Sequence, residues 1–512
     1  MTSTSILLSN GTVLLHDGED RVHAIAADVL IIDNRIVEVA PGIASRGPAS
    51  ELATLVIDCT GKIVCPGFVD THHHLWQTQL KGRHADDLLL DYLHKGSTYP
   101  PLLMVAAGNI TSSLFNPDDV FWGELGGCME AIDGGVTMVV DHAHINHSAA
   151  HSASALEATE ASGIRSYFCY YVLPKTGVDS WAPFKFGAPF LAVPDWAASQ
   201  LAELAGKQPF GDGRVRLGVS FDAYYLAKDV VVSVFETARK LGVKLITSHC
   251  VRNAIAGQHS VVNILNSYGL LKDDILLSHA SQVLPEDAVL LNAEHAHVSS
   301  TPDTELQMAH GTPVCFRPDL YKISSLGVDC HSNNSADILT QMRLALQSAR
   351  GAHNAPFVAQ GKVPRTVAHT VQKVFNLGTI LGARAVGMGA EIGSIAVGKL
   401  ADVVVFDGQS PSMVCAAEHD PVAAIVMHAS VRDIETVIVD GKVRKFAGKL
   451  VPVDVGAREG EEKPLGWPEV AAKLIHSRRR LQEAIEAGND DEAREAVITA
   501  YGIDKNNVVD HL

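Results

Sequence analysis

From about residue 62 to residue 385, short apolar runs alternate with stretches of helical period. The apolar runs fall at 63–70, 137–142, 165–172, 215–223, 244–249, 275–279, 297–300 and 325–329. Several are continuous rather than alternating, the pattern of strands covered on both faces of a parallel sheet. Amphipathic segments such as 229–241 and 335–350 lie between them, the second led by Ser335 as an N-cap. Eight strand–helix units over roughly 320 residues predict an α/β fold, a TIM-like (β/α)8 barrel.

The texture changes at both ends. Residues 1–60 show short β patterns with turns expected at Asn10-Gly11 and Asp33-Asn34, and residues 387–455 resume that pattern. β segments that flank a barrel in sequence can pair, which predicts one small β-sandwich built from both chain ends. The expected division is therefore 1–60 and 387–455 for the sandwich, 61–386 for the barrel and 456–512 for a polar helical tail. The tail carries Arg478-Arg479-Arg480 and then an acidic helical pattern over 483–496. It reads as surface helices, either a solvated appendage or an oligomer contact.

Composition narrows the classes. Of 512 residues 47% are hydrophobic and 19% charged, values of a globular protein in water. A formal charge of −17 argues against nucleic acid or an anionic membrane as the main partner. The eight cysteines are scattered without a Cys-x-x-Cys pair, which suits free thiols in a reducing compartment. The first residues show no basic segment before an apolar core, and no run of about 18 apolar residues suggests a membrane span. A cytoplasmic protein acting on a small molecule, assembled as a homo-oligomer, is the expectation.

The chemistry concentrates in Pro66-Gly-Phe-Val-Asp-Thr-His72-His73-His74. Alternation along a strand sends His72 and His74 to one side and His73 to the other, into the barrel wall. Two imidazoles spaced i, i+2 at a strand end can grip one metal ion such as zinc or iron. Later strands also end on suitable groups: His249, His279 and Asp329. In a barrel of this kind the strand C-termini carry the chemistry.

These residues resemble the amidohydrolase superfamily, and within it the branch of s-triazine chlorohydrolases and cytosine, guanine and S-adenosylhomocysteine deaminases. The resemblance rests on the histidine motif, Leu80-Lys81-Gly82, Gly134-Gly-Val-Thr137, His249, His279, Leu326-Gly-Val-Asp329 and Gly393-Ser-Ile-x-x-Gly-Lys-x-Ala-Asp402. Ser300-Thr-Pro-Asp-Thr-Glu305-Leu-Gln-Met308 and the segment 337–343 are similar too. The resemblance implies that His72, His74, His249 and Asp329 hold one divalent metal, zinc or iron. His279 would polarise the substrate or move protons, and Asp329 would also accept the proton of an attacking water. The fourth strand ends near Ala223-Tyr224-Tyr225 without the lysine that binuclear relatives carry there, which favours a single ion.

One position departs from the pattern. Deaminases of this branch carry a proton-shuttling glutamate three residues after the fifth-strand histidine, where this chain has Arg252. A guanidinium cannot give up a proton, so little activity on adenine, guanine or cytosine derivatives is expected. Arg252 either anchors an anionic group of the substrate or pairs with a nearby aspartate. Trp76, Gln77, His142 and Glu305 are further candidates for substrate contact. Each has a plainer reading: packing for Trp76, support behind the site for Glu305, and a bond to a carbonyl for His142. His142 and His144 repeat the i, i+2 spacing, and a second metal there is the sharper alternative. His295, His297, His310 and His331 have no assigned role, although His331, two residues beyond Asp329, could reach the pocket mouth.

The function expected is hydrolysis, by metal-activated water, of a C–N or related bond in a small cyclic or heteroaromatic substrate. A metal-dependent lyase or decarboxylase is one rival. A barrel serving only in assembly is the other, and it predicts missing ligands.

Overall fold

The computed structural model describes residues 4–46, 53–94, 111–174, 178–181, 184–186, 190–456, 463–487, 490–501 and 503–509. Five strands come first: β1 (Ser5–His16), β2 (Val22–Ile32), β3 (Arg35–Ala40), β4 (Leu55–Asp58) and β5 (Lys62–Pro66). The barrel follows, with β6 (Phe68–His73), β7 (Val136–Ala143) and β8 (Arg165–Tyr171). After a hairpin of β9 (Val178–Trp181) and β10 (Phe184–Phe186) it resumes with β11 (Val215–Ser220), β12 (Ile246–Val251), β13 (Ile275–Ser281), β14 (His297–Ser300) and β15 (Ser324–Leu326). The eight barrel strands pair in chain order, every neighbour parallel. A lone parallel bridge between His73 and Asp329 brings the last strand end back to the first. The ring is thereby nearly closed, and all the strand C-termini meet on one face.

Both chain ends enter one mixed sheet of nine strands, with β16 (Val403–Asp407), β17 (Ile434–Val439), β18 (Lys442–Phe446) and β19 (Lys449–Leu450) running antiparallel to one another. Strand β16 joins the halves by pairing with β5. The apolar run over 63–70 therefore belongs to two sheets, and it divides at Gly67. A Cβ at Gly67 would run into the Thr137 side chain, and its N–H donates to the Asp402 carbonyl at 2.9 Å. Arg165, on β8, ties the sheet to the barrel. Its buried guanidinium donates twice to the Asp402 carboxylate, at 2.8 and 3.0 Å, and once to Asp440 at 2.8 Å. This explains physically why Asp402 ends the Gly393–Asp402 motif.

Two local expectations are corrected. Asn10-Gly11 is a bulge inside β1, not a turn: pairing with β2 shifts register between Leu8 and Gly11, and Asn10 takes φ 61°. Asp33-Asn34 does turn the chain between β2 and β3. The helix Ile338–Val358 is capped by Asp337, whose carboxylate accepts the Thr340 N–H at 2.7 Å, while Ser335 only supports that carboxylate.

The tail packs against the site rather than standing free in solvent. We label the helices Leu89–His94 as α1, Pro117–Asp133 as α2, Pro302–Gln307 as α3, Trp467–Glu486 as α4 and Asp490–Tyr501 as α5. Helix α4 lies on α2 and on the turn after the histidine motif, with Val470 and Leu474 buried beside Phe121 and Leu125. Its Ser477 hydroxyl accepts from Gln79 at 3.0 Å and donates to Asp119 at 2.7 Å, and Arg478 donates to the Gln79 carbonyl. Helix α5 buries Ala493, Val497 and Ile498 against Leu89, Leu90 and Leu93 of α1. Positions 488 and 489 of the expected acidic helix lie outside the described residues. No described helix is long and apolar enough to cross a membrane.

Candidate metal centre

His72, His74, His249 and Asp329 converge at the C-terminal mouth of the barrel, each offering one donor atom within 4.8 Å of the others. His72 Nε2 and His74 Nε2 lie 3.2 and 3.1 Å from Asp329 Oδ1, and His249 Nε2 lies 3.3 Å from His74 Nε2. Alternation along β6 puts His72 and His74 there and turns His73 away. His73 is bound between Asp70 Oδ2, at 2.7 Å, and His331 Nδ1, at 2.8 Å.

Each ligand ring is held by its other nitrogen. His72 Nδ1 meets Ser278 Oγ at 2.7 Å, His74 Nδ1 the His142 carbonyl at 2.9 Å, and His249 Nδ1 Asp222 Oδ2 at 3.0 Å. A carbonyl and a carboxylate only accept, so in His74 and His249 the proton sits on Nδ1 and the Nε2 lone pair faces inward. Burial pushes His72 well below the usual histidine range and lowers His74, so both rings are neutral bases. His72 Nε2 is buried with no hydrogen-bond partner. Three imidazole lone pairs and a carboxylate aimed at one point, one of them otherwise orphaned, suit a cation rather than a hydrogen-bond network. The four groups could together hold a divalent metal ion.

The cavity beside this centre measures about 380 Å³. His74, His249, His279 and Asp329 form its metal-side wall, with His144 stacked on His74 at 3.9 Å between ring centroids. Leu89, Tyr92, Leu93, Val251, Ile255, Ile264 and Met308 supply an apolar wall. No lysine or arginine lines it among the described residues. His279 stands 5.4 Å from His72, ring to ring, and its Nδ1 bonds Thr301 Oγ1 at 2.7 Å. It takes φ 68°, as does Asp329, a left-handed backbone uncommon in residues with a Cβ and concentrated at working sites.

The other candidates divide. Glu305 stands behind His279, with Oε1 3.9 Å from its Nδ1 and accepting the Thr301 N–H at 2.8 Å. Burial pushes its pKa up to about 8, so it is an uncharged support and not a wall of the cavity. Trp76 is fully buried and donates to His144 at 3.1 Å, and Gln77 is buried between Tyr92 and Ser332. Neither lines the cavity; they brace residues that do. His142 is likewise withdrawn: its Nε2 meets Asp222 Oδ2 at 3.0 Å, and burial lowers it to about 3. Arg252 does not line the cavity and pairs with buried Asp287 at 3.6 Å, while its neighbour Val251 takes the place at the cavity. Of its two readings, the ion pair is the one the geometry supports. His331 does not reach the mouth.

Asp222 escaped the sequence reading. It accepts the His249 N–H at 2.8 Å and bridges the His142 and His249 rings. Burial raises its carboxyl, yet His249 and His142 beside it hold it well below the usual range. The signal was a carboxylate one residue before Ala223 at the end of an apolar strand. His142, Asp222 and His249 could as a group hold an ion, but their facing atoms are already joined by hydrogen bonds.

The amidohydrolase family model matches residues 63–444. The chain is 28% identical over 464 residues to a 5-methylthioadenosine/S-adenosylhomocysteine deaminase of Syntrophobacter fumaroxidans, covering 88% of this chain and 95% of the relative. It is 26% identical to a 5'-deoxyadenosine deaminase of Methanosarcina acetivorans, over 92% and 99% of the two chains. Among solved structures, an adenosine deaminase from Xanthomonas campestris with bound zinc superposes with a TM-score of 0.72 at 21% identity, over 94% and 99% of the chains. The chain belongs to the amidohydrolase family. It is a hydrolase of carbon–nitrogen bonds other than peptide bonds.

Proposed function

We propose that this protein uses a single zinc ion, held by His72, His74, His249 and Asp329, to hydrolyse a C–N bond at an sp² carbon of a small, uncharged ring compound. The observation that carries the proposal is the convergence of three imidazole nitrogens and one carboxylate on the edge of an apolar cavity. Three nitrogen ligands and one oxygen ligand suit zinc, and they leave the ion a net positive charge. When bound, the ion lowers the pKa of a neighbouring water toward about 7. Asp329 then accepts the proton of the attacking water as its oxygen adds to the carbon. The C–N bond breaks, and the proton reaches the departing nitrogen, which leaves as an amine or ammonia. His279, fixed by Thr301, faces the same space and polarises the group under attack.

The cavity argues for an uncharged substrate. A buried charge without a partner costs several kcal/mol, and the described walls offer no cation to a carboxylate or phosphate. That also weighs against the lyase reading, which needs an anchor for a carboxylate. Because Arg252 lies outside the cavity wall, its identity does not itself exclude ring deamination. The zinc-loaded protein should release ammonia or an amine from such a compound, leaving oxygen where nitrogen was. A product that has lost carbon dioxide instead would replace this reading with the lyase.

A further inference from the structure

We propose that His310 is the substrate-orienting residue of this site, giving the ring of the substrate a polar contact from the cavity wall. The assignment rests on the proposed hydrolysis of an uncharged ring compound. His310 lines the cavity and is only 4% exposed. Neither of its ring nitrogens has a hydrogen-bond partner among the described residues. Two orphaned polar atoms in one buried ring are unusual, because an unmade bond leaves the whole desolvation penalty in place. Such an arrangement makes sense where a ligand completes it.

The backbone also holds the ring in position. Ala309 takes φ 56° and Gly311 φ 117°, so His310 sits between two left-handed residues at the end of α3. Its own N–H donates to the Glu305 carbonyl at 3.1 Å. A strained residue with a Cβ on one side and a glycine on the other fixes where the ring points. The His310 ring stands edge-on to His279, 5.2 Å between centroids, next to the group that faces the reacting carbon. Burial lowers its pKa to about 4, so the ring is neutral, one nitrogen donating and the other accepting. A heteroaromatic ring edge carries the same pairing of donor and acceptor. With Arg252 turned toward Asp287, no other described wall residue is a buried imidazole with both nitrogens unpartnered.

The test uses the zinc-loaded full chain with 5'-deoxyadenosine and 5'-methylthioadenosine as probes, both uncharged. Ammonia release and probe binding are measured for wild type, His310→Phe and His310→Gln, with zinc content and melting temperature alongside. Both variants should keep wild-type zinc. His310→Phe should lose about 100-fold in kcat/KM, chiefly through KM, while His310→Gln, which still donates and accepts, stays within about 10-fold. Wild-type kinetics in His310→Phe would overturn the assignment. So would equal losses in both variants accompanied by equal falls in melting temperature, the mark of a structural residue. If wild type binds the probes without releasing ammonia, the hydrolytic reading fails for this class while His310 is still decided. Binding lost in His310→Phe then supports it, and binding unchanged overturns it. No binding at all overturns both the ring class and the assignment.

Discussion

The two walls of the cavity are built differently. The metal-side wall stands on strand ends, and each of its ligand and partner rings is tied by a second contact: His74 to the His142 carbonyl, His249 to Asp222 and His279 to Thr301, with His72 behind them tied to Ser278. The mainly apolar wall is carried by α1, by the segment after β12 and by α3. It is braced from behind by α5, a piece of chain some 400 residues away in sequence from α1. The candidate metal ligands and His279 stand on strand ends, and the apolar lining on helices and loops backed by a distant helix. Each wall fails in its own way, and that separates them.

The largest effect is expected on the metal side. His249→Ala or Asp329→Asn should empty the site and lower kcat/KM by about 10³-fold or more, since no spare group holds the ion or takes the proton. His279→Asn should instead keep its zinc while kcat falls about 10²-fold. If zinc and activity fall together in His279→Asn, that ring is a ligand. Asp222→Asn touches neither ion nor substrate but loses the anion behind His249. Zinc affinity should weaken by about 10–100-fold, read by competition with a chelator.

The apolar wall should respond in KM. Val497→Asp places a charge in the buried contact between α5 and α1, which should raise KM about tenfold and leave zinc content unchanged. Loss of zinc in that variant would show that the walls are not independent. The smallest effect on turnover is expected from Arg252→Met, whose kcat and KM should stay within about threefold of wild type, because its guanidinium pairs with buried Asp287 and does not line the cavity.

Acid should act on the buried imidazoles. His16 and His310 are lowered to about 4 and His142 to about 3, each chiefly by burial, against 6.5 when unfolded. Between those values the unfolded chain binds more protons than the folded one, so stability falls as pH drops from about 6.5 toward 4. Melting temperatures of the chelator-treated protein, where loss of zinc plays no part, should decline across that window. A flat profile would mean that these rings are not held neutral.

The two walls also differed in how far the sequence revealed them. The barrel, the mixed sheet's use of both chain ends and the strand-end positions of His72, His74, His249, His279 and Asp329 were readable because strand period follows from local pattern, while the choice of four of them as ligands came from the family resemblance. His73 facing away is the same period seen from the other side. Asp222, Ser278 and Thr301 were not found, since a single small or acidic residue at a strand end carries no spacing to mark it. Arg252 could be identified as a departure but not oriented, because a loop after a strand does not preserve alternation. His310 and the contact between α5 and α1 depend on tertiary approach alone. Two left-handed residues and a buried helix face set them, and neither leaves a periodic trace.

Elemental analysis of purified protein is the most direct test of the metal centre, with wild type, His279→Asn and Asp329→Asn measured side by side. One zinc per chain is expected in wild type and in His279→Asn, and next to none in Asp329→Asn. Two ions per chain in active wild-type protein, or full occupancy in Asp329→Asn, would contradict the single-zinc centre.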